Sequence, residues 1–297
     1  MRWGLPGLLR RLKISWRSYP QLILILGSYV LLRVLRRVAL RRWGLDFYKF
    51  VDSRLVRKIP IEVIYYRFRI RVLLGECKLE IVVFSDEYEK VEKRLLAELK
   101  PRTAIDVGAH MGAYSLLLSQ ICEKVIAVEP QEAVRKVLLR NIRLNKIGNV
   151  IVLPYAASSE SSKTMAIIGS GGSARVTQGP GNVQTIRIDD VVVRFFPQSG
   201  PEFVKIDVEG HELDVLKGMT RTLRERYPLL LVEVWHQNFD DVVKLLSQLG
   251  YMMKEDIDLT MYRPAKNMLF IPVNHRHTPH AHVDETTGVG SSNPVEE

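Results

Sequence analysis

From Thr103 onward, short apolar runs of strand character alternate with amphipathic helical segments, and this alternation leaves few folds open. TAIDV leads into the glycine turn GAHMG and the helical AYSLLLSQ. KVIAV leads through EP into QEAVRKVLLRNIRLN. VIVLPYAA is a third strand and FVKIDV a fourth, followed by the helical ELDVLKGMTRTLRER. LLLVEVW is a fifth strand, followed by DDVVKLLSQLG, and MLFIP closes as a last strand. Strand–turn–helix units in series predict an α/β fold with a doubly wound, mainly parallel sheet. Upstream, EVIYYRFRIRVLLG and ECKLEIVVF read as a hairpin turning at Gly75 and Glu76, and Ser85 as the cap of a helix running through EYEKVEKRLLAEL to Pro101.

In such sheets ligands bind beyond the carboxyl ends of the strands, so the residues there carry the chemistry. The first strand ends in Asp106, followed by Gly108 and Gly112. This is GxxxG rather than GxGxxG, with a carboxylate directly before the loop. A pyrophosphate would be repelled there, whereas a cationic ligand would be attracted. The second strand ends in Glu129, placed to accept both hydroxyls of a ribose. An adenosine ribose joined to a positively charged amino-acid portion matches both acids, which points to S-adenosylmethionine. The fourth strand raises a further question: in FVKIDVEGHE, Lys205, Asp207 and Glu209 fall at spacing two, on one face of a strand whose other residues are apolar.

IDVGAHMG, VIAVEP, the hairpin-like stretch through IIGSGGSARV, TIRIDDV, FVKIDVEGHELDVLKG and LLLVEVW resemble, in order, the FkbM family of S-adenosylmethionine-dependent methyltransferases. The resemblance covers roughly residues 100–255, and KIDVEG with the ExxVLKG-like spacing after it is the most specific part. It implies a class I methyltransferase fold, Rossmann-like and mostly parallel with an antiparallel last strand. It also implies O-methylation of a hydroxyl on a sugar, glycan, polyketide or similar small molecule. Cofactor contacts carry over onto Asp106, Gly108, Gly112 and Glu129, with Ala109, His110, Pro130 and Ala156 beside them at the same strand ends. Where relatives often carry an acid soon followed by a histidine, this chain has Glu233, Val234, Trp235 and His236.

Of the seven histidines, His110, His211 and His236 each follow the end of a central strand, and the other four lie in the polar tail. Methyl transfer to an alcohol needs removal of the hydroxyl proton and alignment of the oxygen with the sulfonium. Lys205, Asp207, Glu209, Glu233 and His236 form the candidate catalytic set. A carboxylate or histidine could take the proton directly, or the acids could hold a Mg²⁺-like ion that lowers the hydroxyl pKa. The first route is favoured because Lys205, on the same face, would repel a divalent cation. GSGGSA, residues 169–174, reads as a loop closing over the site rather than a phosphate cradle, since it follows a hairpin strand instead of opening a helix.

Charge divides the chain. Residues 1–73 hold 17 Lys and Arg against 3 acidic residues, and the remainder holds 26 against 30. A mildly acidic body lacks the basic stripe of a nucleic-acid binder, and no Asn/Asp-Pro-Pro-aromatic stretch of an amino-directed enzyme follows the fourth strand. An N- or nucleic-acid methyltransferase and a catalytically silent, membrane-associated binding module are the alternative classes; failure to bind S-adenosylmethionine would favour the latter. Residues 1–58 form a basic extension whose uncharged run, Tyr19 to Leu32, is 14 residues long, short of the roughly 20 of a spanning helix. It continues into Arg33, Arg36, Arg37 and Arg41 on one helical face. Contact with an anionic membrane surface, packing on the body and a true span are all open for it. The two cysteines lack CxxC spacing and no A-x-A cleavage site follows the apolar run, so a cytoplasmic protein, held on the inner membrane face, is expected. Residues 59–272 form the methyltransferase-like domain and 273–297 a disordered polar tail.

Overall fold

The computed structural model describes residues 13–14, 60–73, 83–84, 88–169, 175–177, 179, 181–254, 261–262 and 265–273. The expectations for Arg33, Arg36, Arg37 and Arg41, for Ser85, for most of GSGGSA and for the tail lie outside these residues. In chain order the strands and helices are β1 (Lys13–Ile14), β2 (Pro60–Tyr65), β3 (Phe68–Leu73), α1 (Lys90–Leu99), β4 (Thr103–Val107), α2 (Ala113–Ile121), β5 (Lys124–Val128) and α3 (Glu132–Leu144). They continue with β6 (Val150–Leu153), β7 (Ala156–Ala157), β8 (Thr164–Ile168), β9 (Arg175–Thr177), β10 (Val183–Ile186) and α4 (Ile188–Phe195). The last group is β11 (Phe203–Ile206), α5 (Glu212–Lys217), α6 (Thr220–Glu225), β12 (Leu229–Trp235), α7 (Phe239–Gln248), β13 (Tyr251–Lys254), β14 (Met261–Tyr262) and β15 (Ala265–Pro272).

The main sheet runs in the order β13-β15-β12-β11-β4-β5-β6, with β14 beside β15. Strands β6, β5, β4, β11 and β12 are mutually parallel, and β15 enters antiparallel between β12 and β13. This is the doubly wound sheet with an antiparallel last strand that the sequence predicts. Alternate residues of each strand enter opposite apolar layers. Ile105, Val204, Ile206, Val232 and Val234 pack under helices α4 to α7, while Ala104, Phe203 and Leu231 pack under α1 and α2. The parity that sends Phe203 toward α2 also sends Lys205 there, and Asp106, its register partner on β4, lies on the same face. The strand order reverses between β4 and β11, and that switch point is where an α/β sheet leaves a crevice.

Four expectations need correction. EVIYYRFRIRVLLG is not one strand but the β2–β3 hairpin, turning at Tyr66–Arg67, and the turn expected at Gly75–Glu76 lies outside the described residues. Tyr66 adopts φ 52°, a left-handed conformation that the sequence does not signal with Gly or Asn. The helix expected from Glu87 starts at Lys90, with Glu89 (φ 48°) at its N-cap, because that residue turns the chain before the first helical turn. ELDVLKGMTRTLRER is broken into α5 and α6 around Gly218 and Met219, and VIVLPYAA divides after Leu153, its AlaAla pairing with β10 in a second sheet, β7-β10-β8-β9. The β2–β3 hairpin docks on α3, where Asn141 and Asn145 side chains accept the backbone N–H groups of Arg71 and Arg69 at 2.8 and 2.9 Å. Those bonds satisfy edge groups of β3 that no strand covers among the described residues.

Candidate functional site

A cavity of about 290 Å³ opens at the carboxyl ends of β4, β5, β11 and β12. Its floor depends on Gly108. This residue sits at φ 79°, and a Cβ there would lie 1.8 Å from the Asp207 carbonyl oxygen, so only glycine lets the β4 loop close against the end of β11. Gly112, at φ 95°, heads α2 and packs on Leu138; it shapes the loop but does not line the cavity. Ala109, His110, Pro130 and Ala156 all line it.

At one end stand carboxylates with spare acceptor capacity. Glu129 is buried, and its two oxygens accept the backbone N–H groups of His110 (2.8 Å) and Gln131 (2.7 Å). Burial raises its pKa against the pull of those amides. Each oxygen keeps acceptor capacity beyond that one bond, and the residue lines the wall. Asp106 is 1% exposed; Oδ2 accepts the Ser115 hydroxyl at 2.5 Å, and Oδ1 has no partner. Beside it are two residues that the sequence reading misses. Glu89, from the turn before α1, has one oxygen on Asn267 Nδ2 at 3.3 Å and the other unpartnered, and the Tyr114 hydroxyl lies close to Glu89 without a well-formed hydrogen bond. Three orphaned buried polar atoms in one wall demand a donor-rich ligand, because an unsatisfied buried acceptor costs about 1–3 kcal/mol. Burial pushes both the Asp106 and Glu89 carboxyls up, against the pull of the nearby Lys205 ammonium.

At the other end the strand face of β11 delivers its charges. Lys205 is buried, donates to Asp207 Oδ2 at 2.9 Å and lies 4.5 Å from the Tyr114 ring centroid. Burial alone would lower its pKa, but Asp207, Glu89 and Asp106 together hold it above the usual lysine value, so it stays cationic. Burial also works against the Asp207 carboxylate, yet Lys205 and a hydrogen bond from Glu233 bring its pKa below the ordinary value. Glu233 is the converse: burial and the Asp207 charge push its carboxyl up to about 10, so it is protonated at neutral pH and donates to Asp207. Glu209 follows Val208 at φ 53°, a left-handed conformation held by the turn into Gly210. Burial and Asp207 push its carboxyl up to about 7. The three carboxyl groups of Asp207, Glu209 and Glu233 have oxygens within 4.8 Å of one another.

The structure therefore brings Lys205, Asp207, Glu209 and Glu233 together. It does not bring His236, which is exposed at the start of the short 3₁₀ turn after β12 and lines no part of the cavity. Besides His110, the wall holds His211, whose Nε2 is 3.1 Å from Ser158 Oγ and whose Nδ1 is 3.5 Å from Asp214. Burial lowers its pKa, so it is neutral there.

Over residues 106–253 the chain matches the Methyltransferase FkbM domain family. It is 35% identical over 207 residues to hexuronic acid methyltransferase AglP of Haloferax volcanii, covering 66% of this chain and 78% of that protein. It is 25% identical over 197 residues to methyltransferase sdnD of Sordaria araneosa, covering 51% and 74%. Among solved structures, methyltransferase FkbM from Methylobacillus flagellatus aligns with a TM-score of 0.43 at 19% identity, covering 66% of this chain and 53% of that one.

Proposed function

This chain belongs to the FkbM methyltransferase family and is a methyltransferase; on that premise we propose that it transfers a methyl group from S-adenosylmethionine to a hydroxyl of a sugar or sugar-bearing acceptor. The cofactor fits the orphaned wall. Glu129 would take the ribose hydroxyls, and Asp106, Glu89 and Tyr114 would surround the amino-acid ammonium, whose three donors match their unpartnered atoms. When bound, the cofactor supplies an electrophilic methyl on a sulfonium. The relative from Haloferax volcanii, by its name, acts on a hexuronic acid, which supports a sugar acceptor.

The observation that carries the reading is the Glu209 carboxyl in the cavity wall, with an oxygen within 4.8 Å of one from each of Asp207 and Glu233, where burial and Asp207 push it up to about 7. A hydroxyl acceptor must lose its proton as its oxygen bonds to carbon, and a base is most effective when its pKa lies near the working pH. Glu209 takes that proton. Asp207 stays ionised through Lys205 and the Glu233 proton, and its fixed negative charge raises Glu209 as a base. A divalent ion is disfavoured because Lys205 already supplies the positive charge at Asp207.

Supplying methyl-labelled S-adenosylmethionine with a panel of hexosides and hexuronosides tests this reading. The expected product carries the label as a methyl ether that survives mild alkali. A label released by alkali would mean a carboxylate acceptor, and transfer to no sugar would remove the proposal. Glu129→Ala should weaken cofactor binding by roughly 1.5–3 kcal/mol, because the ribose hydroxyls lose a charged acceptor; unchanged affinity in calorimetry would dismiss that placement.

A further inference from the structure

The cavity wall contains six carboxyl groups, those of Glu89, Asp106, Glu129, Asp207, Glu209 and Glu233. Among the described residues its only Lys or Arg is Lys205, which is already paired with Asp207. A second cation stands just outside. Arg175 opens β9, the edge strand of the smaller sheet, and the next residue, Val176, lines the cavity. Its guanidinium lies over the Trp235 ring, 4.1 Å from the centroid. Trp235 ends β12 two residues after Glu233, and its ring bounds the space above Gly210, the residue after Glu209. Arg175 thus roofs the gap between the proposed base and the end of β12.

Stacking uses the face of the guanidinium and leaves its donors, which point within the plane, available. Arg175 has no hydrogen bond or ion pair among the described residues, although its charge is felt by Glu209, whose pKa it pulls down. A planar, preoriented fork with free N–H groups at the mouth of an acid-lined cavity matches a bidentate oxyanion. It also answers an electrostatic need, since the other charged groups of the wall are carboxylates apart from Lys205, which is paired with Asp207.

Resting on the sugar-acceptor reading above, we infer that Arg175, clamped on Trp235, is the specificity residue of this site: it binds an oxyanion borne by the acceptor sugar, carboxylate or phosphate, and so presents a hydroxyl of that sugar to Glu209. Trp235 fixes the plane of the fork, and Glu209 and Arg175 then read two groups of one ring.

The test compares kcat/KM for a neutral hexoside, the matching hexuronoside and the matching hexose phosphate in the wild type, Arg175→Gln and Arg175→Lys. In the wild type a charged acceptor should exceed the neutral one by about 10-fold or more, as expected for a charge-assisted bidentate contact, and added salt should reduce the preference. Which charged acceptor wins identifies the oxyanion. Arg175→Gln should bring the ratio close to one, and Arg175→Lys should keep part of it, since the charge remains but the fork is lost. The acid limb of the pH profile should move to higher pH in Arg175→Gln, because Glu209 loses a nearby cation. Cofactor titration on the same samples reports folding; if the variant does not bind cofactor, the salt-sensitive preference of the wild type decides alone. A wild-type ratio near one, or an unchanged ratio in Arg175→Gln, overturns the inference while leaving the sugar reading intact. Transfer to no sugar at all overturns both.

Discussion

Glu233 shows how far the local field displaces a single group. Its carboxyl ordinarily titrates near 4.5, and in the fold it is pushed up to about 10 by burial and by Asp207. Between those values the folded protein holds a proton that the unfolded chain has released, so stability falls as pH rises across that window; Glu209, pushed up to about 7, adds a similar slope over its acidic part. Glu233→Gln replaces a protonated acid with an amide that also donates to Asp207. The slope of Tm against pH between about 6 and 9 should flatten in this variant, and activity near neutrality should change little. If instead the three acids bound a divalent ion, Glu233 would be ionised, its amide variant would lose activity, and chelators would abolish turnover in the wild type. The residue pattern made part of this legible. Spacing two in FVKIDVEGHE places Lys205, Asp207 and Glu209 on one side, but the split between an ionised Asp207 and a protonated Glu233 depends on a pairing across strands that spacing alone does not contain.

At the level of elements, the parallel core was readable because strands such as TAIDV and LLLVEVW are short apolar runs, buried along nearly all of their length. What was missed lies where local signals are weak. Tyr66 turns a hairpin without a turn residue, β13 is a four-residue edge of mixed character, and Glu89 enters the cavity from the turn before α1, far from the strand ends that mark the site. Tyr114 and Arg175 likewise reach the site only through packing. The contact between the β4 loop and β11 ties these elements to function, and Gly108→Ala tests it. The left-handed backbone alone costs a non-glycine residue about 1–2 kcal/mol, and the methyl group would strike the Asp207 carbonyl. A lower Tm with cofactor affinity reduced about 10-fold or more is expected, since 1.4 kcal/mol corresponds to tenfold; a variant with wild-type melting and binding would show that the loop need not close on β11.

At the scale of the molecule, charge and catalysis occupy different parts of the chain. The basic excess falls in residues 1–73, whereas the cavity is acid-lined. Among the described residues no helix is long and apolar enough to cross a membrane. Residues 1–58 are expected to draw the protein onto anionic vesicles, at about 1 kcal/mol for each arginine near the surface; equal sedimentation with neutral and anionic lipids, or none with either, would exclude that attraction. The same division predicts that removing the vesicle surface leaves the methyl-transfer chemistry intact, because the reacting groups all belong to the sheet and its loops. The central claim is that Glu209 takes the acceptor proton, and the pH dependence of the single-turnover methyl-transfer rate tests it most directly. For the wild type the account predicts a rate rising with pH through a limb near 7, and for Glu209→Gln a rate lower by about 100-fold that lacks this limb. A Glu209→Gln enzyme that keeps both the limb and the wild-type rate would contradict it.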